Sequence, residues 1–119
     1  MLIHKHLLIT AYIDNPPTSE EVGKQWLLEL VDKIGMEVFM QPVCKFDDQP
    51  DNLGLTGVIG LTTSHISFHA WCKSFSVKQP FINMDVYSCK EFDTNTVIRH
   101  LERFGLLDVD WQIIERNPK

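Results

Sequence analysis

The sequence predicts an α+β fold, a two-layer sandwich in which two helices cover one face of a mostly antiparallel sheet. Two amphipathic helical stripes are set among several short segments in which apolar and polar residues alternate. No internal repeat is present. With 119 residues and 44% hydrophobic residues, the chain is expected to fold as one globular domain over residues 1–119.

The first strand and the first helix have clear boundaries. Residues 5–13, KHLLITAYI, predict a strand in which every second residue from Leu7 to Ile13 is apolar. The segment NPPTSEE ends this strand, and Thr18 with Glu21 three residues later predicts a capping box. The helix that follows is expected to end at Gly35. Its apolar stripe consists of Val22, Trp26, Leu27, Leu30, Val31 and Ile34.

Three further segments have strand character. Residues 36–46 predict a strand that is bent or interrupted near Pro42. Residues 57–63 and 65–71 predict one or two strands on either side of Ser64. After a longer loop, residues 81–89, FINMDVYSC, predict a strand with Ile82, Met84 and Val86 on one face.

The last two elements are a helix and a strand. Residues 93–105 predict a second capped helix that ends at Gly105. Residues 108–115 predict the closing strand. The residues of the helix that are expected to point inward are Val97, Ile98, Leu101 and Phe104.

The segment LTTSHISFHAW at residues 61–71 has two different faces. Ile66, Phe68 and Ala70 alternate with four polar or ring-bearing residues. Two helices can cover only one face of the sheet, so the rings of the other face need another cover. We expect a homodimer that packs sheet to sheet, with sites near its interface. The ring residues assigned to that second face are Tyr12, His69, Trp71, Tyr87 and Trp111.

Composition excludes several classes of protein. The net charge of −5 and the absence of a basic run argue against nucleic acid as a partner. Three cysteines, without a signal peptide or a long apolar run, predict free thiols in a soluble cytoplasmic protein that does not enter a membrane.

The chemistry-bearing residues leave the function open when residue type and spacing alone are considered. Ser64, His69 and Cys89 have the types of a nucleophile, a base and an acid, but such residues occur in most domains. A zinc site is a weak alternative, and we predict no metal, because the candidate histidines lack a cysteine or a carboxylate at ligand spacing. Those histidines are His4, His6, His65 and His69.

Three segments, however, resemble a known family. GLTGVIGLTTSHISFHAW, the later MDVYSC and the opening KHLLITAYID are similar to the core of the prokaryotic S-adenosylmethionine decarboxylases. These are small pyruvoyl-dependent enzymes. The resemblance implies a two-layer sandwich that dimerises sheet against sheet.

The resemblance also implies self-cleavage between Thr63 and Ser64 into residues 1–63 and 64–119. Ser64 would attack the Thr63 carbonyl to give an ester, and β-elimination would then turn Ser64 into a pyruvoyl group. The ketone of this group forms a Schiff base with the substrate amine and accepts the electrons of the carbanion. His69 corresponds to the histidine that serves processing, Thr56 to a helping hydroxyl, and Cys89 to a proton donor.

Substrate recognition is only partly preserved in this resemblance. Trp71 and Phe46 correspond to the aromatic residues that hold the adenine ring between them. Thr63 replaces a glutamate of the family pattern. Cys72 and Lys73 replace Pro-Glu, and that glutamate would bind the ribose hydroxyls. Lysine cannot accept those hydrogen bonds, and its charge repels a sulfonium ion. Other acceptors could come from the loop FDDQPDN, which contains Asp47, Asp48 and Asp51.

Three functional hypotheses follow from these matches and departures. The first is a self-processed S-adenosylmethionine decarboxylase that supplies the aminopropyl donor for spermidine synthesis. The second is a pyruvoyl enzyme of the same fold acting on another amino acid, such as a basic one. The third is an unprocessed homologue that binds a ligand or a partner.

Overall fold

The computed structural model describes residues 3–118, which form a six-stranded sheet and two α-helices. Within these residues no helix is long and apolar enough to cross a membrane. The helices are α1 (Glu20–Lys33) and α2 (Thr94–His100), and a 3₁₀ turn at Leu101–Phe104 follows α2. The strands are β1 (Lys5–Ile13), β2 (Val38–Asp47), β3 (Gly54–Leu61), β4 (Ser64–Trp71), β5 (Phe81–Ser88) and β6 (Leu106–Glu115).

The strands lie in the order β2-β3-β4-β5-β1-β6, and each neighbouring pair is antiparallel. The segment around Ser64 forms two strands, because the turn Thr62–Thr63 joins β3 to β4 as a hairpin. The edge strand β2 is irregular where the sequence predicts it. Its register with β3 shifts between Met40 and Val43, on either side of Pro42, which has no backbone N–H to donate.

Trp26 of α1 holds the two helical segments together on one face of the sheet. Its ring stacks on His100 with 4.6 Å between the ring centroids, and it meets Phe68 of β4 edge-on at 5.6 Å. The indole nitrogen donates to the His100 carbonyl oxygen at 3.1 Å, and His100 Nε2 donates to the Trp26 carbonyl oxygen at 2.8 Å. These contacts confirm the predicted two-layer sandwich.

The helix boundaries correct two details of the prediction. Ser19 rather than Thr18 caps α1, since its hydroxyl accepts a hydrogen bond from the Val22 amide at 3.2 Å and the helix begins at Glu20. Val22 is 49% exposed, whereas the rest of the predicted stripe is buried. The ends are as predicted: Gly35 and Gly105 have φ values of 71° and 69°, which glycine adopts without strain. In the second helical segment Val97, Leu101 and Phe104 are buried, and Ile98 is half-buried.

The sheet has a helix face and an open face, as the alternation in β4 predicts. Ile66, Phe68 and Ala70 are buried under the helices. The prediction for Trp111 is wrong: it pairs with Ile9, which is in the core, so Trp111 lies on the helix side of the edge strand β6 and is 44% exposed. The register between β6 and β1, which the sequence does not reveal, decides this. The open face of β4 consists of His65, Ser67, His69 and Trp71.

Several large apolar side chains on the open face remain exposed. Their positions follow from the strand register, which alternates core and open-face residues along each strand. Met40, Val43 and Val58 lie on the neighbouring strands β2 and β3, whereas Tyr12 and Ile114 lie on β1 and β6 at the other side of the sheet. Exposed apolar side chains on one face are typical of an interaction surface.

Candidate active site

The residues around the predicted cleavage bond lie where β4 begins and β5 ends. We call Thr63, Ser64, Ser88 and Cys89 the cleavage end. The Thr63 carbonyl oxygen accepts a hydrogen bond from the Cys89 amide at 3.4 Å and another from Cys89 Sγ at 3.3 Å. Ser64 Oγ lies 3.3 Å from Thr63 Oγ1. Two donors on one carbonyl oxygen make its carbon more electrophilic, and this carbon is the atom that Ser64 would attack.

Ser88 belongs to the cleavage end although sequence analysis did not select it. It pairs with Ser64 across β4 and β5 and is fully buried. Its hydroxyl lies 3.4 Å from Thr63 Oγ1, accepts from the Lys90 amide at 2.9 Å and donates to Met36 Sδ at 3.7 Å. A signal was present in the sequence, since the alternation of β5 places this polar residue on its inward face.

A second group of residues surrounds a cavity at the other end of β4. We call Asn52, Thr56, His69 and Trp71 the pocket end. A hydrogen bond of 3.0 Å joins Thr56 Oγ1 to His69 Nδ1, and the rings of His69 and Trp71 stack at 5.6 Å. Trp71 also stacks on Phe81 at 4.9 Å. The cavity of about 270 Å³ is lined by Asn52, Gly54, Leu55, Thr56, His69, Ala70 and Trp71.

The pocket end offers a flat indole ring beside an imidazole and a hydroxyl. Indole rings stack well on planar ligands, while the polar pair fixes orientation or exchanges a proton. Sequence analysis selected three of these four residues. Asn52 was missed because its contact with Trp71 joins a loop to a strand.

The two ends are separated along the same strand. His69 lies five residues after Ser64 in β4, and a strand rises about 3.3 Å per residue, so about 16 Å separates the two positions. Ser64 and Cys89 therefore lie together, while His69 and Thr56 form a different group. Within one chain, His69 cannot reach an atom of residue 64.

Two of the predicted substrate-binding residues do not join the pocket end. Phe46 packs against the core, opposite the buried Leu55, and its amide donates to Glu20 Oε2 at 2.9 Å. Its side chain is therefore on the helix face, whereas Trp71 is on the open face. Lys73 is exposed beyond the end of β4 and does not line the cavity.

The loop aspartates proposed as other ribose acceptors also lie outside the cavity lining. Asp47 Oδ2 accepts from Asn52 Nδ2 at 2.9 Å, and Asp47 Oδ1 accepts from the Gln49 amide at 3.0 Å. These two hydrogen bonds, chiefly the one from Asn52, lower the pKa of the Asp47 carboxyl. Asp48 and Asp51 are exposed.

The histidines of the zinc alternative do not form one cluster. His4, His6 and His65 surround the Tyr87 ring, and His4 Nδ1 is hydrogen-bonded to the Tyr87 hydroxyl at 2.8 Å. His69 lies at the other end of β4. Among residues 3–118 no group of three or more histidine, cysteine, aspartate or glutamate side chains is placed to hold a metal ion.

The three free thiols differ in their surroundings. Cys44 and Cys72 are buried, and burial raises the pKa of both, that of Cys44 to about 11. Both therefore remain protonated near neutral pH. Cys89 differs from them because it is partly exposed and its thiol donates a hydrogen bond to the Thr63 carbonyl oxygen.

A polar groove of about 550 Å³ crosses β5, β1 and β6 on the open face. Asp85 and Asp110 are among the residues that line it, and Thr10 donates to Asn83 Oδ1 there at 2.8 Å. These carboxylates place negative charge in the groove, which favours cationic ligands there.

Comparisons with known proteins bear on the family and the fold of the chain. The family model described as S-adenosylmethionine decarboxylase matches residues 5–117 of the chain. The comparison with curated proteins finds none that matches. The crystal structure of the adenosylmethionine decarboxylase from Aquifex aeolicus aligns with a TM-score of 0.70 at 24% sequence identity, over 99% of this chain and 93% of that chain. At that identity the structural match establishes the shared fold.

Proposed function

Since this chain belongs to the S-adenosylmethionine decarboxylase family, we propose that it is a pyruvoyl-dependent decarboxylase that cleaves itself between Thr63 and Ser64. The observation that carries the proposal is the pair of hydrogen bonds from Cys89 to the Thr63 carbonyl oxygen. Ser64 directly follows this polarised carbonyl group. The residues of the cleavage end therefore fit a bond that is to be broken by an adjacent hydroxyl group.

Cleavage begins with an acyl shift from nitrogen to oxygen. Ser64 Oγ loses its proton and adds to the Thr63 carbonyl carbon, so that negative charge develops on the carbonyl oxygen. The amide and thiol of Cys89 stabilise that charge. The bond from the carbonyl carbon to nitrogen then breaks and the nitrogen takes up the proton that Oγ lost, which leaves an ester on Oγ and a free amine on residue 64.

Elimination completes the cleavage. A base removes the Cα proton of residue 64, its electrons form a double bond to Cβ, and the bond from Cβ to Oγ breaks. Residues 1–63 leave with a new carboxylate. The remaining dehydroalanine takes up water and loses ammonia, which gives the pyruvoyl group. We assign the base to His69, whose Nδ1 is held by Thr56 at 3.0 Å.

Cys89 keeps a role after processing. The pyruvoyl group supplies an electron sink for the charge that remains on the substrate carbon when carbon dioxide leaves. Cys89 Sγ lies beside position 64 and is placed to give a proton to the product. The buried Cys44 and Cys72 lie outside this group.

A second copy of the chain brings its pocket end next to the cleavage end of the first. Packed sheets are separated by about 10 Å, which side chains from both faces bridge. A two-fold axis across the middle of β4 sets the strand antiparallel over its copy, so that His69 lies above position 64 of the other chain. The exposed apolar residues of the open face support this homodimer, since the contact removes them from water.

The substrate that best fits the pocket end is S-adenosylmethionine. The adenine ring stacks on Trp71, and the carboxylates of Asp85 and Asp110 in the neighbouring groove attract the sulfonium cation. Decarboxylation then yields the aminopropyl donor for spermidine. A second candidate is a decarboxylase of another amino acid, because no carboxylate of the described residues lines the cavity to accept hydrogen bonds from the ribose hydroxyls.

The test combines intact mass with carbon dioxide release. The wild type is expected to give fragments 1–63 and 64–119, the second with a blocked amino end, and to release carbon dioxide from S-adenosylmethionine. Ser64→Ala is the matched control that remains uncut. A wild-type chain that stays whole after long incubation would overturn self-processing and favour the binding-protein alternative. A cut chain that turns over arginine, ornithine or lysine, but not S-adenosylmethionine, would establish the second candidate.

A further inference from the structure

The loop between β2 and β3 reaches the indole nitrogen of Trp71 through a short series of hydrogen bonds. Trp71 Nε1 donates to Asn52 Oδ1 at 3.3 Å, and Asn52 Nδ2 donates to Asp47 Oδ2 at 2.9 Å. Asn52 also lines the cavity of the pocket end. The three side chains thus form a series from the end of β2 to the Trp71 ring at the cavity.

Both ends of this loop are fixed to the sheet. Asp47 is the last residue of β2 and pairs with Gly54 of β3. The Cys72 amide donates to the Leu53 carbonyl oxygen at 2.9 Å, which connects the end of the loop to the end of β4. Asp47 Oδ1 also accepts from the Gln49 amide at 3.0 Å. Asn52 therefore sits between two fixed points, Asp47 and Trp71.

The types of the three polar groups determine the orientation of the Asn52 amide. An ionised Asp47 carboxylate only accepts hydrogen bonds, and the indole of Trp71 only donates one. The amide satisfies both only when its NH₂ group faces Asp47 and its oxygen faces Trp71. Reversal of the amide would lose both bonds.

We propose that Asn52, oriented by Asp47, is a positioning residue that fixes the plane of the Trp71 ring for stacking on the base of a nucleoside. This inference rests on the proposed function, in which Trp71 binds the adenine ring. The rings of His69 and Phe81 lie nearly parallel to the indole, with ring centroids 5.6 and 4.9 Å away, and restrain its tilt, while Trp71 stays partly exposed. The hydrogen bond to Asn52 adds the in-plane restraint, because it fixes the direction of the N–H bond.

The test exchanges the donor and the acceptor of the pair. Asn52→Asp replaces the hydrogen bond to Asp47 with repulsion between two carboxylates. It should weaken binding of adenosine by about tenfold, as expected for loss of one hydrogen bond. Asp47→Asn combined with Asn52→Asp should restore binding to within about twofold. In that pair the amide at position 47 donates to the carboxylate at position 52, which still accepts from the indole.

Gln49→Ala is the matched control from the same loop. The Gln49 side chain contacts Asp48 at 3.4 Å, and its backbone amide, which Asp47 binds, is retained. Adenosine affinity should therefore stay at the wild-type value. Calorimetry with adenosine measures binding whether or not the protein decarboxylates a substrate, so it can fail independently of the proposed function.

Two further measurements separate positioning from direct contact. The indole N–H resonance of Trp71, identified among the three tryptophans by its loss in Trp71→Phe, should shift in Asn52→Leu and return in the exchanged pair. Asn52→Leu should weaken adenosine binding in the wild type but have no further effect in Trp71→Phe. An equal effect in both backgrounds, failure of the exchanged pair to recover, or no adenosine binding by the wild type would overturn the proposal. Adenosine binding without carbon dioxide release would instead overturn the proposed function alone.

Discussion

The two ends of β4 differ in how complete they are within one chain. At the cleavage end, Cys89 already holds the Thr63 carbonyl oxygen, and the buried Ser88 supports the turn. At the pocket end, the Thr56–His69 pair lies on an open face with no protein layer over it in the described residues. In the proposed mechanism, the comparison means that the Thr63–Ser64 bond is prepared inside one chain, whereas the proposed base His69 and the proposed stacking ring of Trp71 need a second chain to cover them.

Removal of the His69 imidazole should have the largest effect on this comparison. His69→Ala is expected to slow cleavage by about 10²-fold or more, as is usual when a general base is lost. Intact mass measured over time would show the whole chain persisting. His65→Ala is the matched control, since His65 lies on the same strand and face. Equal cleavage rates in the two variants would contradict a role for the pocket end in processing.

Removal of the Cys89 thiol should have an intermediate effect on the cleavage end. Cys89→Ala loses the Sγ bond to the Thr63 carbonyl oxygen but keeps the backbone bond. Loss of one oxyanion donor typically costs 10²–10³-fold, and a thiol is a weak donor, so cleavage should slow by about tenfold. Cys72→Ala removes a buried thiol from the other end of β4 and should cleave at the wild-type rate. A wild-type rate in Cys89→Ala would show that the backbone bond alone suffices.

Reversal of the charge at Lys73 should have a small effect on the pocket end. Lys73 is exposed and does not line the cavity, so Lys73→Glu should change KM for S-adenosylmethionine by less than about threefold, as expected for a screened surface charge. Lys78→Glu in the same loop is the control. A tenfold lower KM in Lys73→Glu alone would place Lys73 at the substrate.

The buried His100 of the helix layer makes the folded chain less stable at low pH, which limits the pH range in which the two ends can be compared. Burial lowers the pKa of His100 from 6.5, and Lys33 and Arg103 lower it further, while the bond to the Trp26 carbonyl and the charge of Glu29 oppose the shift. Below about pH 6.5, His100 is protonated in the unfolded chain but stays neutral in the folded chain. The free energy of unfolding therefore falls as pH decreases. Urea denaturation of His100→Gln should show a weaker fall in stability with acid than the wild type. An identical fall would contradict this assignment.

The alternation of side chains predicted most of the fold and one half of the site. It placed His69 and Trp71 on the same face and Phe68 in the core, because a strand fixes these directions locally. The same period places Phe46 on the face of the buried Cys44, so its position was accessible from the sequence. The position of Trp111 depends on the register with β1, and the bond from Asn52 to Trp71 depends on a loop that returns to the sheet. Neither relation is local in the sequence.

The distance between Ser64 and His69 was also present in the sequence as a spacing of five residues. The sequence analysis grouped Ser64, His69 and Cys89 by chemical type and did not use this spacing. A strand is too stiff to bring such positions together, so one chain cannot unite the three groups. The proposed homodimer is the arrangement that would bring the three groups together.

Coexpression of Ser64→Ala and His69→Ala chains tests the shared site most directly. Ser64→Ala alone should remain whole, and His69→Ala alone should be cut only slowly. In a mixed dimer, the Ser64→Ala chain still has His69, which can act on residue 64 of the other chain. The His69→Ala chain should therefore be cut into residues 1–63 and 64–119. Intact mass identifies which chain is cut, because the fragment 64–119 bears the His69→Ala substitution. If the coexpressed chains both remain whole, or if the His69→Ala chain is cut no faster with its partner than alone, the two ends of β4 do not act across a dimer.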